Sequence, residues 1–211
     1  MAEPWEWVGE HALLRRFDGD LVQANATAHA FAALVHEISA AEIEDVVPGA
    51  RSLLVHLRPG SEPSQALVAL LESMPEPRRT DDRPVVEIPV RYGGDDGPDL
   101  ADVARSASLD DEEVARRHAG AMYTVGFIGF SPGFAYLLGL PGELATPRLE
   151  TPRTRIPAGS VGIGGPYTGV YPRATAGGWR LIGRTEAGLF NATRDPPALL
   201  APGDRVRFVP A

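Results

Sequence analysis

From Met122 onward the chain has almost no helical periodicity; short apolar runs at 123–127, 160–163, 179–182 and 206–209 alternate with glycine and proline. Proline removes a backbone donor and glycine weakens regular structure, so this texture predicts a barrel or sandwich of short strands. The 23 glycines and 20 prolines among 211 residues punctuate every long element, while a hydrophobic share of 44% still supplies a buried core. Two short helical patterns precede this region, at 100–107 and 111–119. The second is opened by Asp110-Asp111-Glu112-Glu113, acids suited to the positive end of a helix dipole.

The first 74 residues alternate differently. Strands are expected at 5–8, 12–17, 43–47 and 52–57, with the last two joined around Pro48-Gly49. Asp20 caps a helix over 21–38 that places Ala28, Phe31, Ala32 and Val35 on one face. Ser61 or Ser64 caps a second helix with Leu67, Leu70 and Leu71 inward. Closed by a strand at 85–90, the order β-α-β-β-α-β reads as a ferredoxin-like α/β sandwich. The polar, proline-rich stretch 74–84 reads as a linker, which gives an α+β chain with domains at 1–84 and 85–211.

Composition excludes much chemistry. With no cysteine there is no disulfide, thiolate zinc site or cysteine nucleophile. All 20 basic residues are arginine, so a Schiff-base lysine and a P-loop lysine are excluded as well. The net charge of −8 is uneven: from Pro147 onward nine arginines face four acids, a local +5 against −13 for the first 146 residues. Such a chain is a poor nucleic-acid binder, whereas its local arginine cluster suits a small anion. No apolar run reaches the roughly 18 residues of a membrane span. The acidic start lacks a signal core, so a cytoplasmic protein is expected, with the sequons at Asn25 and Asn191 as chance matches.

Gly129-Phe130-Ser131-Pro132-Gly133 fits a G-x-S-x-G nucleophile elbow, but the residue after that serine must donate its amide to the oxyanion, and Pro132 has none. The glycines of 159–165 lack dinucleotide-binding spacing and read as strand and turn glycines, with backbone contact to a ligand as the alternative. Thr146-Pro147-Arg148 recurs as Thr151-Pro152-Arg153, with Arg155 following; the prolines extend this run and direct at least one guanidinium toward a groove. Phe130, Phe134, Tyr136, Tyr171 and Trp179 lie among glycines and prolines rather than on a helical stripe, and some of them are expected to floor a shallow pocket. The five histidines have no metal-pair spacing, so no bound metal is expected; His29 and His36 read as helix-surface residues. His118 ends an acidic helix, where the dipole favours its protonated form; it reads either as a C-terminal cap or as a general acid/base.

Three segments together are more specific than any one: Gly129-Phe130-Ser131-Pro132-Gly133-Phe134-Ala135-Tyr136-Leu137, the run from Thr151-Pro152-Arg153 to Gly162-Ile163, and Gly177-Gly178-Trp179-Arg180-Leu181-Ile182-Gly183-Arg184. Together with Thr168-Gly169-Val170-Tyr171-Pro172 and Gly93-Gly94-Asp95-Asp96-Gly97-Pro98-Asp99-Leu100, they resemble the family of 5-oxoprolinase B subunits, also called allophanate hydrolase subunit 1 or Kip-type kinase inhibitor. The resemblance implies a ferredoxin-like N-terminal domain and a cyclophilin-like C-terminal β-barrel. It also implies companion A and C subunits, with which the chain would open 5-oxo-L-proline to L-glutamate using ATP as co-substrate, and it leaves a sensor-kinase inhibitor and an allophanate hydrolase subunit as alternatives.

On that resemblance His118 and Tyr171 are the expected catalytic residues. Phe130, Pro132, Gly133, Phe134, Arg148, Arg153, Arg155, Gly162, Tyr167, Trp179 and Arg184 are the expected binding residues. Within this set Arg148, Arg153 and Arg184 hold carboxylate or phosphate. The sequence departs from the family pattern at Tyr167, where glutamine is expected, at Ala176, where proline is expected, and at Arg91, where a smaller residue is expected.

Overall fold

Asp20 begins the first helix as expected: its Oδ1 accepts from the amides of Val22 and Gln23, both at 3.0 Å. That side-chain cap satisfies two of the donors a helix start leaves open. The computed structural model describes residues 5–38, 40–73 and 83–211. Its N-terminal part contains β1 (Trp5–Val8), β2 (Ala12–Arg16), α1 (Leu21–Ile38), β3 (Ile43–Pro48), β4 (Ser52–Leu57) and α2 (Gln65–Glu72). Ser64 caps α2 by accepting from the Leu67 amide at 3.3 Å. The four strands form an antiparallel sheet in the order β1-β2-β4-β3. Alternation along β2 and β4 turns Leu13, Leu53, Val55 and Leu57 toward Phe31 and Val35 of α1 and Leu67 and Leu71 of α2, all buried.

The expected closing strand at 85–90 is not in this sheet. It belongs to β5 (Val85–Tyr92), which pairs in parallel with β13 (Arg205–Pro210), from Val85 opposite Arg205 to Val90 opposite Pro210. The edge beside β2 is taken by β1 instead. Contacts divide the chain into two units, Met1–Asp82 and Arg83–Ala211. Of the expected linker, residues 74–82 lie outside the described residues. Arg83 is tied into the second unit, donating to the Pro202 carbonyl and to Asp204 Oδ1, each at 3.1 Å.

The second unit is a closed seven-stranded barrel. After β5 come α3 (Leu100–Ala107) and α4 (Asp111–Gly120), then β6 (Tyr123–Ile128), β7 (Ala135–Leu138), β8 (Arg153–Ile156), β9 (Ser160–Gly164), β10 (Tyr167–Val170), β11 (Thr175–Gly177), β12 (Arg180–Arg184) and β13. The barrel order is β10-β7-β6-β13-β5-β12-β9, closed by pairing of β9 with β10. The period of two sends Ile88, Val125, Leu137, Val161, Ile163, Ile182 and Phe208 to the interior. The same period sends Phe134, Tyr136 and Leu181 to the outer face, where they meet Tyr171, Trp179 and Ile156 in a second apolar cluster. A two-stranded ribbon, β8 paired with β11, contributes Ile156 to that cluster. The candidate site lies here.

Candidate functional site

The floor of the site is Trp179, only 4% exposed although it sits outside the barrel wall. Its side chain lies against three outward-facing glycines of β9 and β10, the indole on Gly164 and Gly169 and the β-carbon on Gly162. A β-carbon on Gly164 would clash with three atoms of the indole, at 2.4–2.6 Å, and one on Gly162 or Gly169 would stand 3.2 or 3.3 Å from Trp179 atoms. The glycine-rich segment is therefore a seat for an aromatic side chain, and Gly162 serves it from beneath Trp179. Phe134, Tyr136 and Tyr171 surround the indole edge-on, with ring centroids 5.3, 5.4 and 6.4 Å away. Edge-to-face packing of this kind adds roughly 0.5–1.5 kcal/mol per pair beyond buried area and fixes ring orientation.

Phe130 forms the rim. The turn between β6 and β7 is closed by Gly129 N–H to the Phe134 carbonyl at 3.1 Å and by Phe134 N–H to the Ser131 carbonyl at 2.9 Å. Within it Phe130 has φ of 65°, the left-handed region that a bulky residue seldom enters. Such a conformation costs about 1–3 kcal/mol. The ring remains 58% exposed, standing edge-on to Phe134 at 5.3 Å and Tyr171 at 6.2 Å. Pro152, Ala176, Gly177 and Gly178 complete the lining, and the hollow measures about 280 Å³. That is near the lower end of the roughly 300–1,000 Å³ of small-molecule sites.

Among the described residues one charge enters the hollow. The Arg148 guanidinium lies 5.9 Å from the Trp179 ring centroid, a cation–π contact. The neighbouring Leu149 amide donates to the Gly178 carbonyl at 2.7 Å, which holds this run against the turn before β12. Arg148 is exposed, and among the described residues no carboxylate pairs with it. Its planar fork is thus available to an anion. Burial pushes the Tyr171 phenol up to about 12, against the smaller opposing pull of the Trp179 backbone amide and of Arg148. At neutral pH Tyr171 is therefore a protonated hydroxyl.

Five expected site residues converge on this hollow: Phe130, Phe134, Arg148, Tyr171 and Trp179. The others lie elsewhere. Arg153 is engaged by Asp99, donating from both terminal nitrogens at 2.9 and 2.7 Å. Asp99, 5% exposed, also accepts from the Leu181 amide at 2.7 Å, so the pair fastens the β8–β11 ribbon to the barrel. Arg155 is exposed on β8, and Arg184 donates to the Ala158 carbonyl and lines a different hollow with Arg91 and Glu186. Tyr167 stands edge-on to Tyr136 at 5.6 Å and does not line the hollow, whereas Ala176 does. Pro132 is exposed on the turn, and Gly133 backs onto Phe190. Sequence reasoning misses Asp99 as the partner of Arg153: its segment stands out for its glycines, but nothing local pairs it with a residue 54 positions away.

His118 requires correction. It is fully buried, stacked on Phe208 at 4.6 Å, and not a surface cap. Thr168 Oγ1 donates to the Gly162 carbonyl at 3.0 Å and so receives a hydrogen bond from His118 Nε2 at 2.8 Å. His118 Nδ1 then accepts from the Tyr92 hydroxyl at 2.7 Å. Burial depresses its pKa to about 3, so the imidazole is neutral. Thr168 faces inward while Gly169 faces Trp179, which places His118 across the barrel wall from the hollow. A group so placed holds structure and reaches no ligand in the hollow. Among the described residues no three His, Asp or Glu side chains gather as a metal site, and no helix is long and apolar enough to cross a membrane.

The family model for the carboxyltransferase domain, subdomain C and D, matches residues 4–200. The chain is 49% identical to the B subunit of 5-oxoprolinase from Escherichia coli O157:H7 over 170 residues, covering 80% of this chain and 78% of that protein. It is 41% identical to the B subunit of 5-oxoprolinase from Bacillus subtilis strain 168 over 218 residues, covering 97% of this chain and 91% of that protein. The crystal structure of TTHA0988 superposes with a TM-score of 0.81 at 37% identity, covering 95% of this chain. This chain spans 40% of the TTHA0988 chain. Identity of this degree over nearly the whole length places the chain in the family of 5-oxoprolinase B subunits, within the carboxyltransferase domain, subdomains C and D.

Proposed function

We propose that this chain is one subunit of an ATP-dependent 5-oxoprolinase, opening 5-oxo-L-proline to L-glutamate together with the A and C subunits, and that the Trp179 hollow receives the substrate. Family membership supports the first half of this reading. The observation that carries the second is the pairing of one anion-ready guanidinium with a flat aromatic floor. Arg148 grips the substrate carboxylate by a charge-assisted fork, while the planar lactam ring lies against Trp179 between Phe134 and Tyr171. The Tyr171 hydroxyl donates to the lactam carbonyl or to the oxygen that develops there.

The same lining supports a role for companions. Among the described residues it holds no carboxylate, imidazole or amine, and its hydroxyls are tyrosine phenols, so none of these residues can act as a general base at neutral pH. Its volume suits a single-ring acid and is small for a nucleotide, which supports reading ATP as a co-substrate held at a site shared with partner subunits. In this division the terminal phosphoryl group of ATP passes to the lactam oxygen and leaves ADP; water then adds at that carbon, the ring C–N bond breaks, and phosphate departs as glutamate forms. The chain's share is to bind, orient and polarise the substrate. The reading also makes the N-terminal unit a ferredoxin-like variant with β1 at its edge, the barrel cyclophilin-like, and the setting the cytoplasm.

The test is ATP-dependent glutamate release from 5-oxo-L-proline by the chain co-expressed with the A and C subunits. Loss of a charge-assisted contact worth roughly 1.5–3 kcal/mol predicts a drop of about 10- to 150-fold in kcat/KM for Arg148→Ala. Unchanged turnover in that variant removes the hollow from the reaction.

A further inference from the structure

Phe130 combines three properties that do not arise together by packing alone. Its backbone sits at φ of 65° in a turn that already uses glycine, the residue that takes this conformation without strain, at Gly133. Its ring is 58% exposed, so burial does little to offset the strain. The ring nevertheless has a defined place, edge-on to Phe134 and Tyr171 at the rim of the Trp179 hollow. Local strain held at the edge of a ligand site is characteristic of a functional constraint.

We infer that Phe130 is a specificity-determining residue: the left-handed backbone swings its ring over the mouth of the hollow, where it closes on a flat five-membered lactam acid and excludes larger rings. This rests on the reading of the hollow as the substrate site. The strain orients a side chain that has too few contacts to orient itself. A ring held this way narrows the opening without sealing it, because it packs only edge-on and leaves solvent access on its outer side. An added ring methylene would have to displace it. Exclusion of one methylene by an apolar wall yields about 10- to 200-fold discrimination.

The experiment compares Phe130→Gly and Phe130→Ala in the chain co-expressed with the A and C subunits, with Arg148→Ala in parallel. Substrates are 5-oxo-L-proline and its six-membered homologue, 6-oxopiperidine-2-carboxylate. Both Phe130 variants lack the ring, but alanine keeps the strain and glycine relieves it. The Gly variant is expected to melt higher than the Ala variant by roughly 2–4 °C, the shift that each kcal/mol gives a chain of this size. Both are expected to raise KM for 5-oxo-L-proline about tenfold with kcat within twofold, and to lower the preference for the five-membered ring about tenfold. If KM and preference are unchanged in both while Arg148→Ala loses turnover, the inference about Phe130 fails and the site reading stands. If Arg148→Ala is unchanged as well, or the unaltered complex shows no ATP-dependent turnover, the site reading fails and takes this inference with it.

Discussion

Replacing Arg153 by alanine removes both of the side-chain donors that reach Asp99 and leaves only the Leu181 amide. The carboxylate is 5% exposed and belongs to the residue at the start of α3, yet it does not cap that helix; it is turned toward the ribbon. Breaking a buried pair costs about 3–5 kcal/mol, because the remaining charge is uncompensated. The Arg153 side chain is 31% exposed, and water entering its space will hydrate Asp99 in part. The working value is therefore about 2–3 kcal/mol, from two charge-assisted bonds less that rehydration. Urea unfolding followed in the second unit reads this loss directly. The double variant Asp99→Asn with Arg153→Met, measured beside its two single variants, closes a cycle that separates coupling from the penalty of a stranded charge. Since Pro152 and Gly177 of the hollow's wall belong to this ribbon and its approach, Arg153→Ala should also weaken substrate binding without touching the substrate. A loss below about 0.5 kcal/mol, the size of an ordinary surface substitution, would refute the assignment of the pair as a clamp.

His118→Gln should flatten the acid limb of the stability profile. In the folded protein the imidazole stays neutral down to about pH 3, whereas an unfolded histidine titrates near 6.5, so below about pH 6.5 the unfolded state binds the extra proton and stability falls with pH. At pH 5 that amounts to about 2 kcal/mol relative to pH 7, visible as a shift in denaturant midpoint that the glutamine variant lacks. Gly164→Ala should drive Trp179 off its seat, costing more than about 2 kcal/mol as an overpacked core and quenching or shifting tryptophan emission; an unchanged spectrum and midpoint would show the seat to be loose.

Helices are legible where local chemistry writes their ends. Asp20, Ser64 and Asp110 each accept from an amide two or three residues on; the first two stand just before periodic apolar runs and the third before a run of acids suited to a helix start. The barrel strands are legible from apolar runs between glycines and prolines, but their partners are not. The segment at 85–90 has the residues of a strand and nothing local that names β13, about 120 positions away, as its neighbour. The aromatic floor is readable because aromatics among glycines cannot all be helix core, and close packing explains why three glycines face Trp179. The arginines are not separable in the same way. Arg148 and Arg153 follow identical Thr-Pro dipeptides, and only the fold shows that Asp99 engages one and leaves the other over the indole. For His118 a signal is present: it stands four residues after Val114, on the face of α4 that turns inward, and that spacing marks burial where the dipole argument favours the surface.

A crystal structure of the protein soaked with 5-oxo-L-proline locates the ligand without relying on turnover. Its ring is expected within van der Waals distance of Trp179 and its carboxylate within about 2.7–3.2 Å of the Arg148 guanidinium nitrogens. Ligand density at Arg184 or Arg155, with the Trp179 hollow left to solvent, would contradict this placement.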